Sequence, residues 1–92
     1  MHALFVTVRI AAGQFDGAST SLKENVVPRV SKAPGFVKGY WTVNDTRTEG
    51  ASLAVFKTRE NADAAANMAR STPLPPGVTI NSVDVREVVA EA

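Results

Sequence analysis

The chain carries few side chains of the kinds that perform acid–base, nucleophilic or metal chemistry. It has a single histidine, His2, and no cysteine, which excludes disulfides, thiolate metal sites and a cysteine nucleophile. A catalytic base needs an oriented partner, and the sequence offers none for His2, so we interpret it as a solvated or interface side chain. A lone histidine also makes no convincing metal site. We therefore predict no metal centre and no bound cofactor.

Other catalytic motifs are also missing. Gly35 and Gly39 are isolated and no helix follows them directly, which argues against a phosphate-binding loop. None of the serines has the surroundings of a nucleophile elbow, and the acidic residues form no paired-carboxylate motif. No catalytic residue can be assigned on these grounds.

The side chains best suited to contact a ligand are large and apolar. Trp41 and Tyr40 are adjacent on a predicted strand, so they point to opposite faces of the sheet. If Trp41 shares its face with Val37 and Val43 and meets the helices, it either fills the core or lines a pocket within it. The residues that we predict to line such a pocket are Val6, Leu22, Val26, Trp41 and Met68.

Composition limits the possible partners. The chain has 92 residues, a net charge of +1 and no two adjacent basic residues, whereas nucleic-acid binders normally show a basic patch. No apolar run approaches the length of a membrane span. The segment Met1 to Gly13 reads as a first strand and not as a signal peptide. We expect a cytoplasmic protein that binds neither nucleic acid nor membrane.

Four strands are predicted from the alternation of apolar and polar residues and from aromatic and β-branched content. They span His2 to Ile10, Phe36 to Asn44, Ala51 to Phe56 or Lys57, and Val78 to about Val89. Pro34 and Gly35 end the preceding helix and allow the chain to turn into the second strand. The polar segment Asp45 to Gly50 is predicted to be a hairpin loop.

Two helices separate these strands. The first is predicted from about Asp16 to Lys32, with an apolar stripe formed by Phe15, Leu22, Val26 and Val30. Pro28 removes one hydrogen bond inside this helix, so we expect a kink or a looser turn near Glu24 to Pro28. The second helix is predicted to begin at the cap residue Thr58 and to run to about Arg70. Its inner stripe consists of small residues, namely Ala62, Ala65, Ala66 and Ala69.

The order of these elements is strand, helix, strand, strand, helix, strand. It is typical of the ferredoxin-like βαββαβ arrangement, an α+β fold with a four-stranded antiparallel sheet. We assign residues 1–92 to one domain, since the chain has room for no more.

Three segments carry a resemblance to a known family: the opening strand Ala3 to Ile10, the helix-to-strand passage Val30 to Trp41, and the passage Leu53 to Ala65. In these segments the chain resembles the dimeric α+β barrel superfamily and, within it, the antibiotic biosynthesis monooxygenase-like (ABM) domains. The resemblance implies a ligand pocket between the sheet and the two helices, and a homodimer. The haem-degrading members use a helix histidine as iron ligand, and this chain has no histidine after His2.

Three functions are open at this point. The first hypothesis, which the resemblance implies, is a small monooxygenase-like enzyme that acts on an aromatic or polyketide-type molecule without metal or flavin. The alternative is a non-catalytic module of the same fold that binds a small hydrophobic or aromatic molecule or serves dimerisation. A third is an assembly subunit whose sheet edge recruits another protein.

The strand pattern itself favours a homodimer. Two helices cover only one face of a four-stranded sheet, so a lone domain should be polar on the other face. Neither face is polar here, because Val6 and Phe5, or Trp41 and Tyr40, lie on opposite sides of their strands. We therefore predict that two copies pair through the sheet face that points away from the helices.

Overall fold

The computed structural model describes all 92 residues. Its elements in chain order are β1 (His2–Ile10), α1 (Phe15–Ser21), a π-helical turn (Leu22–Val26), α2 (Val27–Ser31), β2 (Phe36–Val43), β3 (Glu49–Phe56), α3 (Arg59–Ser71) and β4 (Val78–Glu87). We call α1, the π-helical turn and α2 together the first helix.

The four strands form one sheet in the order β2-β3-β1-β4. Each of the three neighbouring pairs is antiparallel. This topology confirms the predicted α+β, ferredoxin-like fold. No helix is long and apolar enough to cross a membrane.

The first helix contains the irregularity predicted around Pro28. Its winding widens over Leu22–Val26, where the N–H of Val27 donates to the carbonyl oxygen of Leu22, five residues earlier. Pro28 lies at the start of α2 and has no N–H to donate to the carbonyl four residues before it. A π-helical turn accommodates this loss because it changes the pairing just ahead of the proline.

The loop of the β2–β3 hairpin is shorter than predicted. The side-chain Oδ1 of Asn44 accepts hydrogen bonds from the backbone N–H groups of Thr48 and Glu49, at 2.9 and 3.0 Å. Asn44 therefore belongs to the loop, and β3 begins at Glu49 instead of Ala51. At the start of α3, Thr58 acts as the predicted cap, since its Oγ1 accepts from the N–H of Asn61 at 3.1 Å.

The sealed core lies beneath α3. The buried members of this cluster are Leu4, Ala54, Phe56, Ala62, Ala65 and Ala66. Phe56 is the one large side chain that is completely buried. Because the alanines of α3 are small, that helix lies close to β1, β3 and β4.

Two irregularities change which side chains share a face. The β2–β3 register shifts between Phe36 and Lys38, so Phe36 and Trp41 lie on the helix-covered face and Val37 does not. The expectation that Val37 accompanies Trp41 is wrong, and Val37 is 45% exposed. The β1–β4 register shifts between Thr7 and Val8, which pairs Ile80 with Val8 on the face that also carries Val83.

Candidate functional site

The first helix covers its part of the sheet without sealing it. None of its residues is buried, whereas α3 has three buried alanines. Near its C-terminal end Val30 packs against the core cluster, whereas no hydrophobic residue of α1 or the π-helical turn packs against it. We call the space between α1 with the π-helical turn and the helix-covered face of β1, β2 and β3 the cleft.

One row of three side chains forms the floor of the cleft. Val6 on β1, Ser52 on β3 and Trp41 on β2 are direct partners in the sheet register, so they lie side by side on the same face. The Ser52 hydroxyl donates weakly to the carbonyl oxygen of Val6, at 3.4 Å. The floor therefore combines an aromatic ring with one hydroxyl group among apolar neighbours.

Two glycines leave space for the large side chains on this face of the sheet. The ring of Trp41 lies over Gly39, where an added Cβ would come within 2.9 Å of two ring atoms and 3.3 Å of the Phe36 ring. Gly50 occupies the next row, and an added Cβ there would come within 2.9 Å of Val8. Both glycines are therefore required by close contact with a neighbouring side chain.

Two further residues predicted to line the pocket lie on the helical side of the cleft. Leu22 and Val26 begin and end the π-helical turn, and both are half-buried. They therefore lie where the helix winding is widest. Their partial exposure indicates that the side chains on the inner side of this turn remain accessible to solvent.

Met68, which lies on α3, is the fifth residue predicted to line the pocket. It shares one flank of that helix with Asn61 and Thr72, which lie seven residues before it and four after it. Asn61 is adjacent to Gly35, and Thr72 accepts a hydrogen bond from Arg29 of α2 at 3.3 Å. Met68 therefore lies on the flank of α3 that faces the first helix, and it is half-buried.

The end of the cleft near the β2–β3 hairpin is bridged by a contact that the sequence did not indicate. The guanidinium carbon of Arg47 lies 4.4 Å from the centre of the Phe15 ring. Phe15 is the first residue of α1, and Arg47 lies in the hairpin loop. The two residues are far apart in sequence, so only the folded topology brings them together.

The opposite face of the sheet is open. Its apolar residues are Ala3, Phe5, Tyr40, Leu53 and Val55. The guanidinium of Arg86 lies 5.2 Å from the centre of the Phe5 ring and is paired with Asp84 at 2.7 Å. We call this surface the open face.

Two shallow depressions lie on the sheet. The lining of one, of about 440 Å³, includes Thr7, Thr42 and Ala51 of the open face and also Val8, Val43 and Gly50 of the other face. The other, of about 340 Å³, lies between the apolar residues and the C-terminal segment 88–91. Both are open to solvent and neither includes a residue predicted to line the pocket.

Side chains that could bind a metal ion lie apart from one another. The chain brings together no group of three or more His, Cys, Asp or Glu side chains. His2 lies between Phe56 and Glu87 in the sheet register, and its Nδ1 is buried without a hydrogen-bond partner. It is thus less solvated than we expected, and it lies far along β1 from the hairpin end of the cleft.

Comparison with known proteins was made by sequence and by structure. The sequence matches no protein-family model and no curated protein. In structure, the chain is similar to a monooxygenase from the gene ActVA-Orf6 of Streptomyces coelicolor, crystallised in complex with the ligand nanaomycin D. The TM-score is 0.59 with 11% sequence identity, over 99% of this chain and 92% of the other. The chain therefore shares the overall fold of this monooxygenase.

Proposed function

We propose that this protein is a small monooxygenase that oxidises an aromatic or polyketide-type molecule in the cleft without metal or flavin. Val6, Leu22, Val26, Trp41 and Met68 line the site. Trp41 offers a flat surface on which a planar ring can stack. Ser52 supplies one hydroxyl group to orient the substrate.

The unsealed first helix is the observation that carries this proposal. A helix that only completed a core would bury its apolar stripe, as α3 does. Here Leu22 and Val26 stay half-buried, and Gly39 and Gly50 leave space on the sheet for the side chains of Trp41 and Val8. Apolar sites with a few polar groups are typical of small-molecule binding. A monooxygenase with the same fold binds nanaomycin D, which further supports a ligand site.

In the proposed reaction, a phenol supplies all the electrons that reduce dioxygen. One oxygen atom forms a bond to the ring carbon, which loses its hydrogen, and the phenol becomes a quinone. The other oxygen atom leaves as water together with the phenolic and ring protons. The protein orients the ring and excludes bulk water from it, and no external reductant is consumed.

The test is oxygen consumption with 1-naphthol as the probe substrate, using protein treated with chelator and shown to be free of flavin. We expect one molecule of dioxygen to be consumed per molecule of naphthoquinone formed. Leu22→Trp should abolish the rate by filling the cleft. Leu74→Trp is the matched control, because Leu74 is an exposed loop residue away from the cleft.

A rate that needs added metal would contradict the mechanism. Binding of 1-naphthol without turnover, lost in Leu22→Trp but not in Leu74→Trp, would instead favour the alternative of a non-catalytic small-molecule-binding module. That alternative is supported by the same cleft and by the absence of an identifiable catalytic base among the residues that line it.

The open face supports a homodimer as the functional unit. Its apolar side chains Phe5, Leu53 and Val55 are neighbours across β1 and β3, and Tyr40 next to them is 57% exposed. Two copies that pair through this face would remove both apolar patches from water at once.

A further inference from the structure

We infer that Arg47 binds an acidic group of the ligand at the hairpin end of the cleft, so that the preferred ligand is an aromatic anion, a carboxylate or a phenolate. This inference rests on the proposed ligand site and adds to it the charge of the molecule that enters.

Arg47 forms no ion pair within the protein. The two ion pairs of the chain are Arg59 with Asp63 and Arg86 with Asp84. Asp45 is near Arg47 in sequence, but its carboxylate is not within 4.0 Å of the guanidinium. The Arg47 side chain makes no hydrogen bond either, so its N–H donors are available to a bidentate anion.

The backbone of Arg47 is held in an unusual conformation. Its φ of 58° makes it the one residue other than glycine with a positive φ in the chain. Glycine or asparagine is the usual occupant of such a turn position, and a long side chain there is strained. Local strain of this kind concentrates at functional sites. The guanidinium carbon of this residue lies 4.4 Å from the centre of the Phe15 ring.

The spacing along α1 suits a ligand of two fused rings. Phe15 and Leu22 lie seven residues apart on one stripe, about 10 Å along the helix axis. An acidic group held by Arg47 beside Phe15 would place the rings of the ligand beneath Leu22 and over the floor that contains Trp41. The Phe15 ring buttresses the cation on its other side.

The experiment compares 2-naphthoate with 2-naphthamide, which has the same shape and no charge, by isothermal titration calorimetry. We expect wild-type protein to bind the anion more tightly. Arg47→Gln should weaken binding of 2-naphthoate about ten- to a hundredfold and leave 2-naphthamide within about twofold. Arg47→Gly relaxes the backbone and should show the same selective loss. Arg70→Gln removes an exposed arginine from α3 and should change neither affinity.

Equal loss of both ligands in Arg47→Gln would overturn the inference, because Arg47 would then act by supporting the cleft. Unchanged binding of 2-naphthoate in that variant would overturn it as well. If wild-type protein binds both ligands equally well, the inference fails while the ligand site stands. If it binds neither, both the inference and the proposed ligand site fail.

Discussion

The indole ring of Trp41 lies over the α-carbon of Gly39, two residues earlier on the same face of β2. The contact leaves no space for a Cβ on Gly39. Trp41 itself is half-buried.

Trp41→Ala should lower the free energy of unfolding by about 1–3 kcal/mol. This is less than the roughly 3–5 kcal/mol expected for a completely buried tryptophan, because part of the ring is already in contact with water. Urea denaturation followed by circular dichroism measures the change. A larger loss would show that the ring is covered in solution, and no loss would show that it makes no stabilising contact with Gly39 and Phe36.

Phe56→Ala should be far more damaging. Phe56 is completely buried and makes an edge-to-face contact with Phe36, with the ring centres 5.9 Å apart. We expect a loss of about 3–5 kcal/mol. Leu74→Ala, at an exposed loop residue, is the control and should cost less than about 1 kcal/mol. Equal costs in the two variants would place the core elsewhere.

Two glycine substitutions should have opposite effects. Gly35 has a φ of 77°, and a Cβ added there would lie 2.1 Å from the Asn61 side-chain oxygen, so Gly35→Ala should destabilise the protein by more than about 1 kcal/mol. Gly17 lies in α1 with nothing within 4 Å of an added Cβ, so Gly17→Ala should stabilise it by about 0.5–1 kcal/mol. Thermal unfolding of both variants tests the two signs together, and a stabilised Gly35→Ala protein would contradict the close packing of Gly35 against α3.

Leu53→Lys should convert the proposed homodimer into a folded monomer. Leu53 lies in the middle of the apolar part of the open face, and a charged group there opposes the burial of about 1,000 Å² or more that a stable pair requires. Ala64→Lys, on the exposed side of α3, should leave the dimer intact. Sedimentation velocity at low micromolar concentration separates the outcomes. A wild-type monomer would rule out pairing through this face.

The sequence predicted the order of elements because alternation and helix periodicity are local properties. It predicted the inner alanines of α3 for the same reason: Ala62, Ala65 and Ala66 are buried, and Ala69 is half-buried. It failed where a register irregularity shifts the alternation: counting residues places Val37 on the same face as Trp41, and the shift between Phe36 and Lys38 reverses that count. The contact between Arg47 and Phe15 depends on the hairpin meeting the start of α1, which no local pattern encodes.

The π-helical turn has a consequence for how the length of this chain can vary in evolution. A residue inserted into or deleted from a regular helix rotates everything beyond it by about 100°, which would turn Val30 and Ala33 away from the core. A π-helical turn accommodates one extra residue without rotating the residues that follow it. Homologous sequences should therefore differ in length by one residue within 22–26, with an uninterrupted α-helix in the shorter ones and the same side chains beyond it facing the sheet.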